Sequence, residues 1–258
     1  YFRYQSGKGI QFSTGSTLNP ALFVTQITSS GTTVTVTTRF PHNLAAGTTV
    51  VVSGCDQTAY NGTFTVDTIP TATTLTYTAL STPSATPATG FPQRVSATKW
   101  YGSSVRVGIF DLQNGMFFEY DGQTLYAVRR NSVLQINGVS SVTTGSQIVN
   151  GTGTQYSTQL EVGSYIVIRG QSYRVIGINS DTQMLIAPEY KGVTNSTSVI
   201  VSKTVDTRTP QSQWTDPCNG TGASGYNIDL TKMQMWFIDY SWYGAGTIRW
   251  GVRTTQGT

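Results

Sequence analysis

NLAAGTTVVVSG (43–54) and QLEVGSYIVIRG (159–170) align without a gap, and that agreement decides the fold. Leu44 falls on Leu160, Gly47 on Gly163, Val50 on Ile166, Val52 on Ile168 and Gly54 on Gly170, each pair 116 residues apart. Further on, GTFTVDTIPTATTLTY (62–77) matches QSYRVIGINSDTQMLI (171–186), placing Phe64 on Tyr173, Val66 on Val175, Ile69 on Ile178, Leu75 on Met184 and Tyr77 on Ile186, each pair 109 apart. The difference of seven is one insertion, CDQTAYN (55–61), in the first copy. Self-similarity at constant offset marks a repeated structural unit. The matched apolar positions alternate with polar ones, as half-buried strands require, because successive side chains point to opposite faces. A strand, VTVTT (34–38) or SQIVN (146–150), opens each copy before the shared Leu-x-x-Gly turn. Short strands at this spacing predict a small antiparallel barrel or sandwich in each copy.

The composition agrees. Of 258 residues only 11% are charged, against ~25% in an ordinary soluble domain, and long surface helices need those residues. A helical bundle is therefore excluded, while 38% hydrophobic residues with 14 Tyr, 10 Phe and 5 Trp exclude a disordered tract. The net charge of +4 is spread thinly, with no basic run to hold nucleic acid or an anionic membrane, so nucleic acid is disfavoured as a partner. Cys55 and Cys218 fit neither a metal spacing nor a disulfide framework and are expected to stay reduced. The chain has no apolar run of the ~18–20 residues that a membrane span needs. It has no signal-peptide pattern either.

Outside the two copies the composition changes. All five Trp residues, Trp100, Trp214, Trp236, Trp242 and Trp250, fall in 93–132 and 206–258. SVRVGIFD, MFFEYD and QTLYAVRR predict a three-strand meander turning at Asn114-Gly115 and Asp121-Gly122. MQMWFIDYSWY (233–243) is nearly continuously apolar, which predicts an interior strand covered on both faces. The expected fold class is all-β: an aromatic-rich, sandwich-like antiparallel framework carrying two small inserted β-barrel or sandwich modules. Residues 1–20 read as an arm or edge strand, 21–80 as the first module, 81–92 as a linker or strap and 93–132 as framework. Residues 133–205 read as the inserted second module, and 206–258 as framework again, in one sheet system with 93–132.

No catalytic, cofactor-binding or metal-ligating constellation emerges. GTGASG (220–225) satisfies a dinucleotide-loop pattern, but NIDLTKMQMWF (227–237) reads as strand where the pyrophosphate needs a helix N-terminus. The lone His42 has no acidic or thiol partner nearby, so neither a triad nor a metal cluster is expected. Asp111, Glu119, Asp121, Asp229 and Asp239 could in principle supply a glycosidase pair, but they sit at hairpin ends and strand flanks, where carboxylates serve turns. Trp236, Tyr240, Trp242, Tyr243 and Trp250 are the candidate core and interface aromatics, with a sugar-stacking platform as the competing reading. The glycosylation sequons at Asn61, Asn150, Asn195 and Asn219 arise readily in so Ser/Thr-rich a chain.

RYQSGKGIQF (3–12), FDLQNGMFFEYDG (110–122) and KMQMWFIDYSWYGAGTIRWGVR (232–253) resemble virion structural proteins of T4-like tailed bacteriophages, of the type infecting marine cyanobacteria. The two repeated modules are similar to small β-modules recurrent in tailed-phage virions. This resemblance covers nearly the whole chain and implies a non-enzymatic structural component of the virion, in the neck, tail or fibre rather than the capsid. It implies assembly in the bacterial host cytoplasm, with copies of itself as a homo-oligomer and with other virion proteins, and a chain that continues past Thr258. No catalytic residues and no cofactor come with it. The alternative function is a host-surface or glycan-binding adhesin module of a phage fibre, and a glycan depolymerase would require carboxylates converging in a groove.

Overall fold

The computed structural model describes residues 9–19, 21–98, 100, 103–241 and 247–253. It is built almost entirely of antiparallel strands. After β1 (Ile10–Ser16) come β2 (Leu22–Ser30), β3 (Thr33–Thr38), β4 (Thr49–Ser53), β5 (Gly62–Thr71), β6 (Thr74–Thr78) and β7 (Arg94–Ala97). Strands β2 to β7 close a barrel in the order β2-β3-β6-β5-β4-β7. Alternation sends Ile27, Val34, Val36, Val50, Val52, Val66 and Leu75 inward, where they are buried with the stacked Phe64–Tyr77 pair, its centroids 4.3 Å apart. The 55–61 insertion adds Tyr60 to this core, and the Tyr60 carbonyl accepts the Tyr77 hydroxyl at 2.8 Å.

One expectation is corrected in this unit, and one left open between two readings is decided. Residues 94–97, read as framework, are the sixth stave of the barrel. β7 pairs with both β2 and β4, and its Val95 is buried in the barrel core. Four residues are too few to show a period in sequence, and only closure identifies them. Residues 81–92 act not as a linker but as a strap pinned to the barrel. Ala88 N–H donates to the Ile27 carbonyl (2.8 Å), the Tyr60 hydroxyl to the Ala85 carbonyl (2.8 Å) and Asp56 N–H to the Thr89 carbonyl (2.8 Å). Gln57 clamps Thr89 from both ends of its amide, accepting from Thr89 N–H at 3.0 Å and donating to Thr89 Oγ1 at 2.8 Å. The strap has no strand periodicity because turns and side chains, rather than a ladder, satisfy its backbone.

The chain continues through β8 (Val105–Phe110), β9 (Gly115–Tyr120), β10 (Leu125–Gln135), β11 (Val139–Val142), β12 (Ile148–Thr152), β13 (Tyr165–Ile168), β14 (Gln171–Ser180), β15 (Gln183–Ala187), β16 (Asn195–Val199) and β17 (Val201–Pro210). They form one sheet ordered β16-β11-β12-β15-β14-β13-β17-β10-β9-β8. Its run β11-β12-β15-β14-β13-β17 repeats the first barrel's β2-β3-β6-β5-β4-β7 strand for strand. Strand β16 pairs with β11 and β17 with β13, and only Ile200 lies between them. Residues 195–203 thus bridge the two edges that β7 bridges in the first copy. The Leu-x-x-Gly turns also coincide. Gly47 and Gly163 both have positive φ (84° and 98°), and their N–H groups reach the carbonyls of the matched Val66 and Val175 at 2.8 and 2.7 Å.

The meander turns differ in detail from the Asn-Gly expectation. Each loop is organised by an aspartate, Asp111 or Asp121, whose Oδ1 accepts two backbone N–H groups of its own turn. Gly115 is needed because a side chain there would collide with Phe110. Within the second copy, Arg130 on β10 makes a two-pronged ion pair with Asp206 on β17, both bonds 2.8 Å, and lies 5.3 Å from the centroid of the Phe117 ring. The expected boundaries at 132/133 and 205/206 fall inside β10 and β17, long neighbouring strands, of which β10 enters the module from the meander and β17 leaves it.

The last strands, β18 (Gln234–Tyr240) and β19 (Ile248–Arg253), form a separate sheet ordered β1-β18-β19. The expectation of one sheet system joining 93–132 with 206–258 therefore fails for β18 and β19, and only residues 206–210, at the end of β17, share the sheet of the meander. Both edges of β18 are occupied, by β1 from Ile10↔Tyr240 to Ser16↔Gln234 and by β19 from Met235↔Arg253 to Tyr240↔Ile248, which leaves none for the meander. By compactness the chain divides into residues 1–107, 119–126 and 210–258, and residues 108–118 with 127–209.

Candidate functional site

Strand β18 alternates. Its inward residues Gln234, Trp236 and Ile238 are buried, with Trp236 fully so, and the Trp236 indole N–H donates to the Ser16 carbonyl at 3.1 Å. Trp236 is thus a core residue and is unable to stack on a sugar. Tyr240 is half-buried at the strand end between Ile10 and Ile248. Trp250 is half-buried, and its indole nitrogen is shielded from solvent with no acceptor among the described residues. Trp242 and Tyr243 lie outside the described residues.

The opposite face of the sheet corrects the expectation of a strand covered on both sides. Met235 is 46% exposed, and Met233, just before the strand and of the same parity, is 72% exposed. The cross-strand rows on this face are Gly15–Met235–Arg253, Ser13–Phe237–Gly251 and Gln11–Asp239–Arg249. Glycine at both flanks lets the platform side chains lie close against the neighbouring strands. The sulfurs of Met233 and Met235 each lie 3.3 Å from where a Gly15 Cβ would stand, and the Phe237 ring lies over Gly251, where any side chain would collide with it. Arg253 sits 5.9 Å from the Phe237 centroid, and Arg249 is ion-paired to Asp239. The result is an apolar platform of two methionines and a phenylalanine, flanked by Arg253 at one end and by the Asp239–Arg249 pair at the other. Beyond it, β1 and β19 each keep an outer edge with no partner strand among the described residues. Sequence reasoning missed the open face because an apolar run reports that a strand has two apolar faces, without saying which of them its own chain covers.

The carboxylates do not converge. Asp111 and Asp121 cap their turns, and Glu119 is buried and ion-paired with Arg106. Asp229 holds Thr231 N–H at 3.0 Å and Lys232 Nζ at 3.1 Å. Burial would raise its pKa, but the hydrogen bonds of Thr231 and Lys232 prevail and hold it below the usual carboxylate range. Hydrogen bonds from Ser224 and Cys218 likewise lower Asp216, whose two oxygens organise the GTGASG turn by accepting Cys218 N–H (2.9 Å) and Ser224 N–H (2.8 Å). That turn leads to β18 rather than to a helix. His42 is buried with both ring nitrogens engaged: Nδ1 accepts Leu44 N–H at 3.1 Å, and Nε2 donates to the Thr74 carbonyl at 3.3 Å. Cys55 and Cys218 are both free thiols, and burial, then the neighbouring Asp56, pushes Cys55 up and away from the reactive thiolate form. Among the described residues no group of three or more His, Cys, Asp or Glu side chains is placed to hold a metal ion, and no helix is long and apolar enough to cross a membrane. No protein-family model, no curated protein and no solved structure matches this chain.

Proposed function

We propose that this chain is a non-enzymatic structural component of a tailed-bacteriophage virion, of the neck, tail or fibre rather than the capsid, acting by assembly through β-surfaces. The observation that carries the assembly role is the open face of β18. Met233, Met235 and Phe237 form an apolar surface that the described part of the chain leaves in water, at a cost of ~25 cal/mol per Å² that a partner would remove. Contiguous exposed apolar surface of this kind marks interaction sites. The virion setting is supported by the resemblance of 3–12, 110–122 and 232–253 to phage virion proteins, and two of those three segments contain strands of this same sheet. A structural role also fits Asp111, Glu119, Asp121, Asp229 and Asp239, each of which is committed to a turn or an ion pair.

Immunogold labelling of tailed-phage particles with antibody against this chain tests the reading. Label at the neck, tail or fibres is the expected result. Clean particles alongside antigen in the unassembled lysate fraction would overturn it.

A glycan-binding adhesin is the second reading, and one observation favours it. On the first barrel, Phe23 and Phe40 are 71% and 57% exposed in an edge-to-face pair 6.1 Å apart, with Arg39 5.5 Å from the centroid of the Phe40 ring. Exposed rings beside a cation suit stacking on a sugar. Binding of the chain to host polysaccharide, abolished by Phe23→Ala and Phe40→Ala, would promote that reading.

A further inference from the structure

His42 and Tyr156 hold the same place in the two copies. Each stands a few residues before the Leu-x-x-Gly turn and donates its backbone N–H to a matched carbonyl of the following hairpin, His42 to Ala72 at 3.0 Å and Tyr156 to Asp181 at 3.2 Å. The flanking bonds correspond as well, from Thr38 N–H to the Thr73 carbonyl and from Gly151 N–H to the Thr182 carbonyl, both 2.8 Å. Both side chains are buried, but they close their cores with different chemistry. Tyr156 shares a 2.6 Å hydroxyl hydrogen bond with Ser140, and a phenol keeps its proton below pH ~10. His42 instead offers Nδ1 to Leu44 N–H and Nε2–H to the Thr74 carbonyl, and an imidazole takes up a proton near pH ~6.5. The Leu44 bond needs a sharply bent chain, which Asn43 supplies with a φ of 53°. It also fixes Leu44 against the barrel core.

We propose that His42 is a pH-sensitive latch: the neutral ring closes the Leu-x-x-Gly end of the first barrel, and the imidazolium releases it. The neutral ring suits its site because one nitrogen accepts while the other donates. A proton taken from solvent makes Nδ1 a donor, which then faces the Leu44 N–H, itself a donor. That bond is lost, and a charge is left in a buried site. No acid compensates. The link 39–48 brings Arg39, which lies over the Phe40 ring, β6 brings Tyr77, bonded to the Tyr60 carbonyl, and β7 brings Arg94, which donates to the Thr231 carbonyl. Strand β5 brings Asp67, the single carboxylate among these elements, and it is tied to the Thr78 hydroxyl. Strands β2, β3 and β4 and residues 72–73 bring no charged or titratable group. Since the closed state refuses the proton and the open state takes it, closure is complete above pH ~6.5 and weakens as pH falls below it. Opening frees residues 39–44, and with them Phe40, whose carbonyl accepts the Thr38 hydroxyl at 2.7 Å and whose ring meets Phe23. Acid thereby loosens an exposed aromatic pair that neutral pH holds in place. The latch stands whichever functional reading holds.

Native-state hydrogen exchange of the whole chain, followed by NMR and corrected for the intrinsic pH dependence of amide exchange, tests the latch. His42 is the one histidine of the sequence, so its ring signal is unambiguous. Between about pH 7.5 and about pH 5.5, protection of the His42 and Leu44 amides is expected to fall about tenfold as the ring converts to imidazolium, because the lower value lies roughly one unit below the ordinary imidazole range. Protection of the Tyr156 amide is expected to hold, and this comparison within one molecule needs no variant. In His42→Asn the side-chain oxygen accepts Leu44 N–H but takes no proton, so Leu44 should stay equally protected at both pH values. Imidazolium formation with Leu44 protection unchanged, an equal fall at Tyr156, or an equal fall in His42→Asn would each overturn the proposal. So would a ring signal and amide protection that both stay constant across the range.

Discussion

Glu119 and Asp121 stand two residues apart, yet their surroundings set them to different tasks. Asp121 accepts two N–H groups of an exposed turn, a role that asparagine can fill, so Asp121→Asn should change the unfolding free energy from urea titration by no more than about 0.5 kcal/mol. Glu119 has its side chain buried against Arg106, which is about a third exposed. Losing one member of a fully buried pair costs ~3–5 kcal/mol and of an exposed pair under ~1, so Glu119→Gln should cost about 2 kcal/mol by the same titration. Sequence placed both at hairpin ends because the turn is local, whereas the burial of Glu119 depends on what packs above it. Trp236→Ala should remove ~3–5 kcal/mol, since the ring is fully buried and its N–H is satisfied by Ser16. Burial, then the neighbouring Cys55 and Tyr60, pushes the Tyr77 hydroxyl far above its ordinary range. An unfolded tyrosine ionises near pH ~10, so the stability held by neutral Tyr77 is complete below that pH and is lost as pH rises beyond it. Tyr77→Phe should flatten the alkaline loss of stability, at a cost of ~1–3 kcal/mol at neutral pH for the orphaned Tyr60 carbonyl. An alkaline slope identical to wild type would refute the assignment.

At the scale of elements, the repeat was legible because it rests on two local facts. Alternation places Val50, Val52, Phe64, Val66 and Leu75 inside the barrel, and Ile166, Ile168, Tyr173, Val175 and Met184 occupy the same places in the core of the second copy. Glycine supplies the positive φ of the turns between them. The strap 81–92 was harder to read, since a Pro- and Thr-rich stretch has the composition of a linker whether or not it is pinned. Its hydrogen bonds to Ile27, Tyr60, Asp56 and Gln57 carry a prediction that a linker would fail: under limited proteolysis of the native chain, 81–92 should stay intact for as long as the barrel does. Early cleavage there would restore the linker reading. Strand β7 was missed for the complementary reason, because four residues carry no period and acquire a role only when a gap of one strand remains to be filled.

At the scale of the whole molecule, function lies in surfaces rather than in a cleft. Met233→Ser with Met235→Thr removes apolar area from the open face of β18 without touching Trp236 or Ile238. Thermal melting should therefore move by no more than a few degrees, while incorporation into virions falls, as read by immunoblot of purified particles. Undiminished incorporation would remove this face from the assembly account. The sequence by itself determined the all-β class, the two copies, the inward set of each strand and the aspartate-rich hairpin ends, because alternation and turn chemistry act over a few residues. Tertiary structure alone decided that 94–97 close the first barrel, that 81–92 are strapped down, and that β1 rather than the meander flanks β18. It alone also decided that the described residues leave one apolar face of β18 uncovered. These depend on which strand edge remains free and which face finds a cover, and pairing across 100 or more residues leaves no mark in local periodicity.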